Sequence, residues 1–266
     1  MIKIEIADIC VGLSVNDART TQQILGRYGD FLSPNGTPEV MVQVEVREGV
    51  QFVPLEPGLY VINSSFQDGK LTFESYFEAG SVDMASGQGH LLMAPRSSIE
   101  NFLRVLFSWR CIHKEALLVH AAGVIKDGRA FVFFGPSRSG KTTVARLSLD
   151  YTVLSDDLVI IKKRNGAYKA YGVPFRGDMP GASRTNARAN LYSLFRLKKD
   201  TRHFTKPLGH SQAVAELISC VPFVIEDLAM SQRAMDICAD LVASVPVKEL
   251  HFSQDQGFWR VIGETG

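Results

Sequence analysis

Ala130-Phe131-Val132-Phe133-Phe134-Gly135-Pro136-Ser137-Arg138-Ser139-Gly140-Lys141-Thr142-Thr143 holds the turn on which the fold of this chain depends. The first five residues are apolar without alternation, which predicts a strand covered on both faces. Gly135 to Thr143 fit G-x-x-x-x-G-K-[ST] and lead into a helical segment, the strand-loop-helix setting in which that pattern cradles phosphate. The glycines let backbone N–H groups turn inward on a polyanion, the helix start adds partial positive charge, and the Lys141 ammonium can reach β- and γ-phosphates. Thr142 is left to hold Mg²⁺. The expected ligand is ATP with Mg²⁺, contacted by Gly135, Ser137, Ser139, Gly140, Lys141, Thr142 and Thr143. Arg138 either brings a charge near the γ-phosphate or is a solvated arginine at the loop tip.

Downstream, Val153-Leu154-Ser155-Asp156-Asp157-Leu158-Val159 places two adjacent acids in an apolar segment, expected as one strand over 152–161. Ionised side chains are costly there unless a cation or hydrogen bonds meet them. Successive strand residues point to opposite faces, so one acid can hold Mg²⁺ while the other accepts a proton. The alternative is a strand end in solvent. Upstream, Leu117-Leu118-Val119-His120 ends one strand before the loop; His120 is either a satisfied structural histidine or lies beside the transferred group.

Farther out, the period is two up to about residue 80, at Ile2/Ile4/Ile6, Val40/Val42/Val44/Val46 and the apolar runs on either side of Gln67-Asp68-Gly69-Lys70. Residues 16–39, with three glycines and two prolines, predict loop with one short helix. Ile99, Phe102, Leu103 and Leu106 then form a helical stripe, with Ser97-x-x-Glu100 available as a capping box, so a helix over about 98–113 is expected to join two parts: a β-rich unit at 1–96 and an α/β domain at 97–266. Within the latter, Lys126-Asp127-Gly128-Arg129 predicts a turn and Asn165-Gly166 a hairpin turn, residues beyond 185 read as mostly helical, and 221–225 and 247–252 as further strands.

The composition narrows the choice of partners. With 45% apolar residues among 266 the chain can bury a sizeable core, and a net charge of +1 supplies no electrostatic footprint for nucleic acid. Cys10, Cys111, Cys220 and Cys238 are far apart and form no CxxC pair, as expected of buried thiols in a reducing cytoplasm. Met1-Ile2-Lys3-Ile4-Glu5-Ile6 alternates instead of forming a signal sequence, and no run is long enough to span a bilayer. A cytoplasmic protein without membrane or nucleic-acid partners is expected; self-association into a homo-oligomer is left open.

The order His120, phosphate loop, Asp156-Asp157 resembles the catalytic domain of HPr serine kinase/phosphorylase, itself similar to ATP-dependent phosphoenolpyruvate carboxykinase. The resemblance covers roughly residues 112–180. With a β-rich unit and a helix ahead of Leu118-Val119-His120-Ala121-Ala122-Gly123-Val124, the chain looks more like the HPr-kinase-like enzymes of lasso-peptide and related gene clusters, which phosphorylate a serine of a precursor peptide. The resemblance implies an α/β, HPr kinase/phosphoenolpyruvate carboxykinase-like P-loop domain. It also implies an active-site role for His120, nucleotide ligation by Lys141 and Thr142, a metal-ligand role for Asp157, and a base role for Asp156, a division that can be reversed. Val173-Pro174-Phe175-Arg176-Gly177 resembles the family's Glu-Ile-Arg-Gly signature with Pro174 in place of the acid, which argues against phosphorylase activity and against HPr as substrate. Arg176 matches the signature arginine, counted with the nucleotide contacts, or is a surface ion-pair partner.

The expected activity is transfer of the ATP γ-phosphoryl group to a serine-type hydroxyl of a peptide or protein, with Asp156, His120 and Lys141 catalytic. The acceptor is expected in a groove between the phosphate loop, residues 174–181 and the N-terminal unit, with 174–181 as a mobile flap or a plain connection. A small-molecule alcohol as acceptor, a nucleotide-dependent switch, and a binding module without phosphotransfer are the alternatives.

Overall fold

Four two-residue turns shape the chain. Ala7 and Asp8, Asp68 and Gly69, Asp127 and Gly128, and Asn165 and Gly166 all have positive φ, which matches the right-handed twist of paired strands and favours Gly, Asn and Asp. The computed structural model describes residues 1–55, 61–175, 177, 179, 184–224 and 227–263. It divides into two units, Met1–Arg110 and Cys111–Gly266.

The first unit contains β1 (Ile2–Ile6), β2 (Ile9–Val15), α1 (Ala18–Arg27), β3 (Val40–Val46), β4 (Ile62–Gln67), β5 (Lys70–Ser75), β6 (Glu78–Asp83), β7 (Gln88–Met93) and α2 (Glu100–His113), the last carrying the boundary between the units. Its sheet runs β1-β2-β3-β7-β6-β5-β4, parallel at β2–β3 and β3–β7 and antiparallel elsewhere. Alternation in β1 buries Ile2, Ile4 and Ile6, while Lys3 donates to the carbonyls of Pro34 and Gly36 at 3.0 and 2.8 Å. The short helix expected within 16–39 is α1, started by Asp17, whose carboxylate accepts the Thr20 amide at 2.6 Å. The β6 and β7 strands carry the sheet on to Met93, beyond the period-two pattern that ended near residue 80 and within the β-rich unit expected at 1–96. The capping box is also revised. Ser97 Oγ donates to the Ala94 carbonyl, Ser98 Oγ takes the Glu100 amide, and the Glu100 carboxylate pairs with Arg104 and Arg27. Phe66 stacks on Trp109 at 4.6 Å and Phe73 meets Phe102 edge-on at 5.7 Å.

In the second unit, β8 (Ala116–Lys126) and β9 (Arg129–Phe134) form a hairpin, followed by α3 (Lys141–Arg146), β10 (Thr152–Ser155), β11 (Leu158–Arg164), β12 (Ala167–Tyr171), β13 (Arg188–Lys199), β14 (Phe204–Pro207), α4 (His210–Ile218), α5 (Leu228–Ser244), β15 (Val247–Phe252) and α6 (Phe258–Gly263). The sheet order is β10-β8-β11-β12-β13-β15-β14, and β9 pairs with both β8 and β13, closing the path β8–β11–β12–β13–β9 on itself. β9, β13 and β15 are mutually parallel neighbours. This mixed α/β unit departs from expectation beyond residue 185, where Arg188-Ala189-Asn190-Leu191-Tyr192-Ser193-Leu194-Phe195-Arg196-Leu197-Lys198-Lys199 is a strand instead of a helix. Its Leu, Ala, Arg and Lys favour helix, but Leu191, Ser193, Phe195 and Leu197 share a buried face and both edges find strand partners, so tertiary pairing overrides propensity. Residues 221–224 form no strand, and residue 225 lies outside the described set.

An aromatic core lies behind the β9–α3 connection. Phe133 stacks on Phe195 at 5.6 Å, Trp259 meets Phe131 and Phe133 edge-on, and Trp259 Nε1 donates to Ser148 Oγ at 3.2 Å. Val144 and Ala145 of α3 are buried in the same cluster. The four cysteines are buried and form no disulfide. Among the described residues no helix is long and apolar enough to cross a membrane.

Candidate functional site

A cavity of about 1330 Å³ opens entirely within the second unit. One wall is the loop between β9 and α3. Gly135 and Gly140 have φ of 147° and 109°, and Arg138, at 64°, is exposed at the tip. At Gly140 a side chain is excluded twice, by that φ and by the Phe252 ring, which fills the place of a Cβ. Ser139 is buried, and its hydroxyl has no hydrogen-bond partner among the described residues. Lys141 Nζ donates to the carbonyls of Gly135 and Pro136 at 3.0 and 3.1 Å, so the ammonium is folded back over its own loop. Gly135, Ser137, Thr142 and Thr143 line the cavity with it. α3 has only six residues, so its dipole contributes less than the sequence suggested and the positive charge rests mainly on Lys141.

The two acids stand in a break. The single strand expected over 152–161 is divided into β10 and β11, both laid along β8, with a register shift between Val153 and Ser155. Ser155 Oγ accepts the amides of Asp157 and Leu158, both at 3.2 Å, and holds the bend. Asp156 is buried, 3% exposed, and its Oδ2 accepts the Met179 amide at 2.9 Å; its carboxylate also occupies the space where Gly177 lacks a side chain. Asp157 is turned the other way, with Oδ1 3.3 Å from Nδ1 of His120. Register explains the meeting: Leu158 pairs with His120, and the Ala121 amide donates to the Asp157 carbonyl at 2.9 Å. The His120 amide donates to Cys220 O at 2.7 Å. Burial pushes up the Cys220 thiol, whose Sγ lies 3.9 Å from the Gly135 carbonyl.

His120, Lys141, Thr142, Asp156 and Asp157 therefore share one cavity. Arg176 lies outside the described residues, as does part of 174–181. A wall not anticipated from sequence is made by Lys199, Asp200, Thr201, Phe252, Ser253 and Gln254. These residues lie at or just past the ends of β13 and β15, and the helical expectation beyond 185 concealed the first three. Asp200 accepts the amides of Thr201 and Arg202 at 2.7 and 3.2 Å and meets His251 Nδ1 at 3.0 Å. The His251 hydrogen bond, foremost, holds the Asp200 carboxyl below its usual range. Among the described residues no three His, Cys, Asp or Glu side chains converge as a metal site of their own. Mg²⁺ needs few protein ligands when phosphates supply the others, and the cavity that Thr142 lines is also lined by the carboxylates of Asp156 and Asp157.

The family model of SynChlorMet cassette protein ScmC matches residues 95–265. The chain belongs to the ScmC family. The matched region of this ScmC-family chain contains every residue that lines the cavity. No curated protein matches the chain. Among solved structures, the HPr(Ser) kinase/phosphatase from Coxiella burnetii is similar over 55% of this chain and 94% of that one, at 9% identity and a TM-score of 0.30.

Proposed function

We propose that this ScmC-family chain is an ATP-dependent kinase that transfers the γ-phosphoryl group to a serine-type hydroxyl of a peptide or protein. The observation that carries the proposal is the placement of Lys141 and the His120–Asp157 pair on one cavity. In phosphoryl transfer most of the rate comes from positioning and charge stabilisation, with one group accepting the hydroxyl proton. Lys141 exchanges the Gly135 and Pro136 carbonyls for phosphate oxygens, a better partner for an ammonium. The buried Ser139 hydroxyl and the loop amides complete the cradle. Mg²⁺ would neutralise charge on the phosphates, held by Thr142 and Asp156, the buried acid fixed by the Met179 amide.

Asp157 receives the proton that the acceptor hydroxyl loses as its oxygen bonds to the γ-phosphorus and the bond to the β-phosphate oxygen breaks. His120, 3.3 Å away, orients that carboxylate and can take the proton onward. This assigns the base to Asp157 and the metal to Asp156, the reverse of the division that the resemblance implies, because Asp157 is the acid that lies beside His120. The peptide acceptor rests on the resemblance of Leu118-Val119-His120-Ala121-Ala122-Gly123-Val124 to the precursor-peptide kinases.

The test is incubation of the full chain with γ-labelled ATP and a panel of serine peptides and small alcohols, with mass spectrometry of the products. A labelled peptide serine is the expected result. Label confined to small alcohols overturns the peptide acceptor; ADP with free phosphate and no labelled acceptor overturns the kinase in favour of a switch; no turnover favours a binding module.

A further inference from the structure

Strand order gives the cavity a direction. Across the sheet the neighbours run β11, β8, β9, β13, β15. Asp157 and His120 belong to the β11–β8 side, the Lys141 loop follows β9, residues 199–201 end β13 and continue past it, and residues 252–254 do the same for β15. A triphosphate on the central loop, with its γ end toward Asp157 and His120, has its α end pointed at β13 and β15. From β8 to β15 is three strand spacings, roughly 14 Å. Ligands of parallel sheets bind beyond the carboxyl ends of the strands, and β9, β13 and β15 are parallel.

The β13 and β15 wall is held firmly for an exposed segment. The Asp200 amide donates to Phe252 O at 2.9 Å, joining the two strand ends. The Asp200 carboxylate takes two amides and His251, and Ser253 Oγ contacts Asp255 at 2.5 Å and His203 at 3.1 Å. Phe252 touches the loop at Gly140. Asp200 and Ser253 are thus engaged within the protein. Gln254, in contrast, is exposed at the cavity with its carboxamide free of any hydrogen bond among the described residues. A glutamine carboxamide offers one donor edge and one acceptor edge, which pair with the N7 acceptor and N6 amino donor of adenine. Guanine presents two acceptors there, O6 and N7, and sets one against the glutamine oxygen.

We infer that the wall formed by residues 199–201 and 253–254 is the nucleoside subsite of this cavity, with Gln254 reading the base and selecting adenine over guanine. The inference rests on the proposed phosphate-loop function, and the experiment separates the two. The full chain and its Gln254→Ala variant are titrated calorimetrically with ATP, GTP and inorganic tripolyphosphate at fixed Mg²⁺, with thermal unfolding as the check on folding. Wild type is expected to bind ATP at least roughly tenfold tighter than GTP or tripolyphosphate, and the variant to lose about that factor for ATP alone. Tripolyphosphate binding equal to ATP binding in wild type, an unchanged ATP affinity in the variant, or an equal loss for ATP and GTP overturns the subsite. A wild-type chain that binds none of the three overturns the phosphate-loop function beneath it.

Discussion

Glu78 in the first unit and Asp156 in the second are both buried carboxylates, 4% and 3% exposed, set in different surroundings. Glu78 accepts from the Ser98 amide at 3.3 Å and the Ser75 hydroxyl at 3.4 Å. Burial outweighs those two bonds and pushes its carboxyl up to about 7. Asp156 lines a cavity that Lys141 and Thr142 also line. The first acid ties the approach to α2 back onto β6; the second lines the cavity to which the proposed metal role is assigned. A buried carboxylate therefore marks a site only where the surrounding chain leaves a ligand room to reach it.

That contrast is sharpest in mutants that separate chemistry from stability. Asp157→Asn should lower kcat by roughly two to four orders of magnitude while nucleotide affinity and unfolding stay near wild type, whereas Asp156→Asn should chiefly raise the Mg²⁺ concentration needed. Steady-state kinetics over a Mg²⁺ series distinguish them, and the opposite pattern restores Asp156 as base. Lys141→Ala should weaken Mg-ATP binding about a hundredfold, since two charge-assisted hydrogen bonds are lost, with the unfolding midpoint almost unchanged. Equal affinity in wild type and variant would remove the loop from nucleotide binding.

Effects in the first unit should appear in stability and depend on pH. The folded-state pKa of Glu78 is raised, so the folded chain binds this proton more tightly than the unfolded chain does. Its stabilising contribution is complete below about pH 4.5 and lost as pH rises through about 7. Glu78→Gln, a permanent mimic of the protonated acid, should stabilise the chain on the order of 2 kcal/mol at pH 8 and by little at pH 4.5. Urea unfolding at the two pH values checks this; a gain that does not change with pH would mean that Glu78 stays ionised in the fold. The smallest effect belongs to the cap of α1. Asp17→Ala should lower the thermal unfolding midpoint at neutral pH by less than the changes above, with any phosphoryl transfer unaltered.

Most of the candidate site could be read from sequence because its residues are close along the chain. The loop, the paired acids and the histidine fall within 38 positions, from 120 to 157, and each has a pattern that the chemistry demands. Two-residue turns such as Asp127-Gly128 and Asn165-Gly166 were equally legible, since positive φ restricts the residue choice. β13 was hidden because its residues individually prefer helix and its strand character comes from partners far off in sequence, β9 and β15. For the same reason residues 199–201 and 252–254 bear no local mark of a site. The break at Asp156 and Asp157 was likewise invisible, because Ser155 Oγ can hold either a strand or a bend.

By itself the sequence determined a β-rich first part, a phosphate-loop pattern between a buried strand and a helix, and the residues that chemistry at such a loop requires. These derive from local constraints: side-chain periodicity, the φ values open to glycine, and the charge needed by a polyanion. Only the tertiary structure decided that β13 is a strand, that Asp157 faces His120 while Asp156 turns to Met179, and that two distant strand ends wall one cavity with Lys141. Those outcomes depend on pairing between segments remote in sequence, where burial and shared hydrogen bonds outweigh the preferences of single residues.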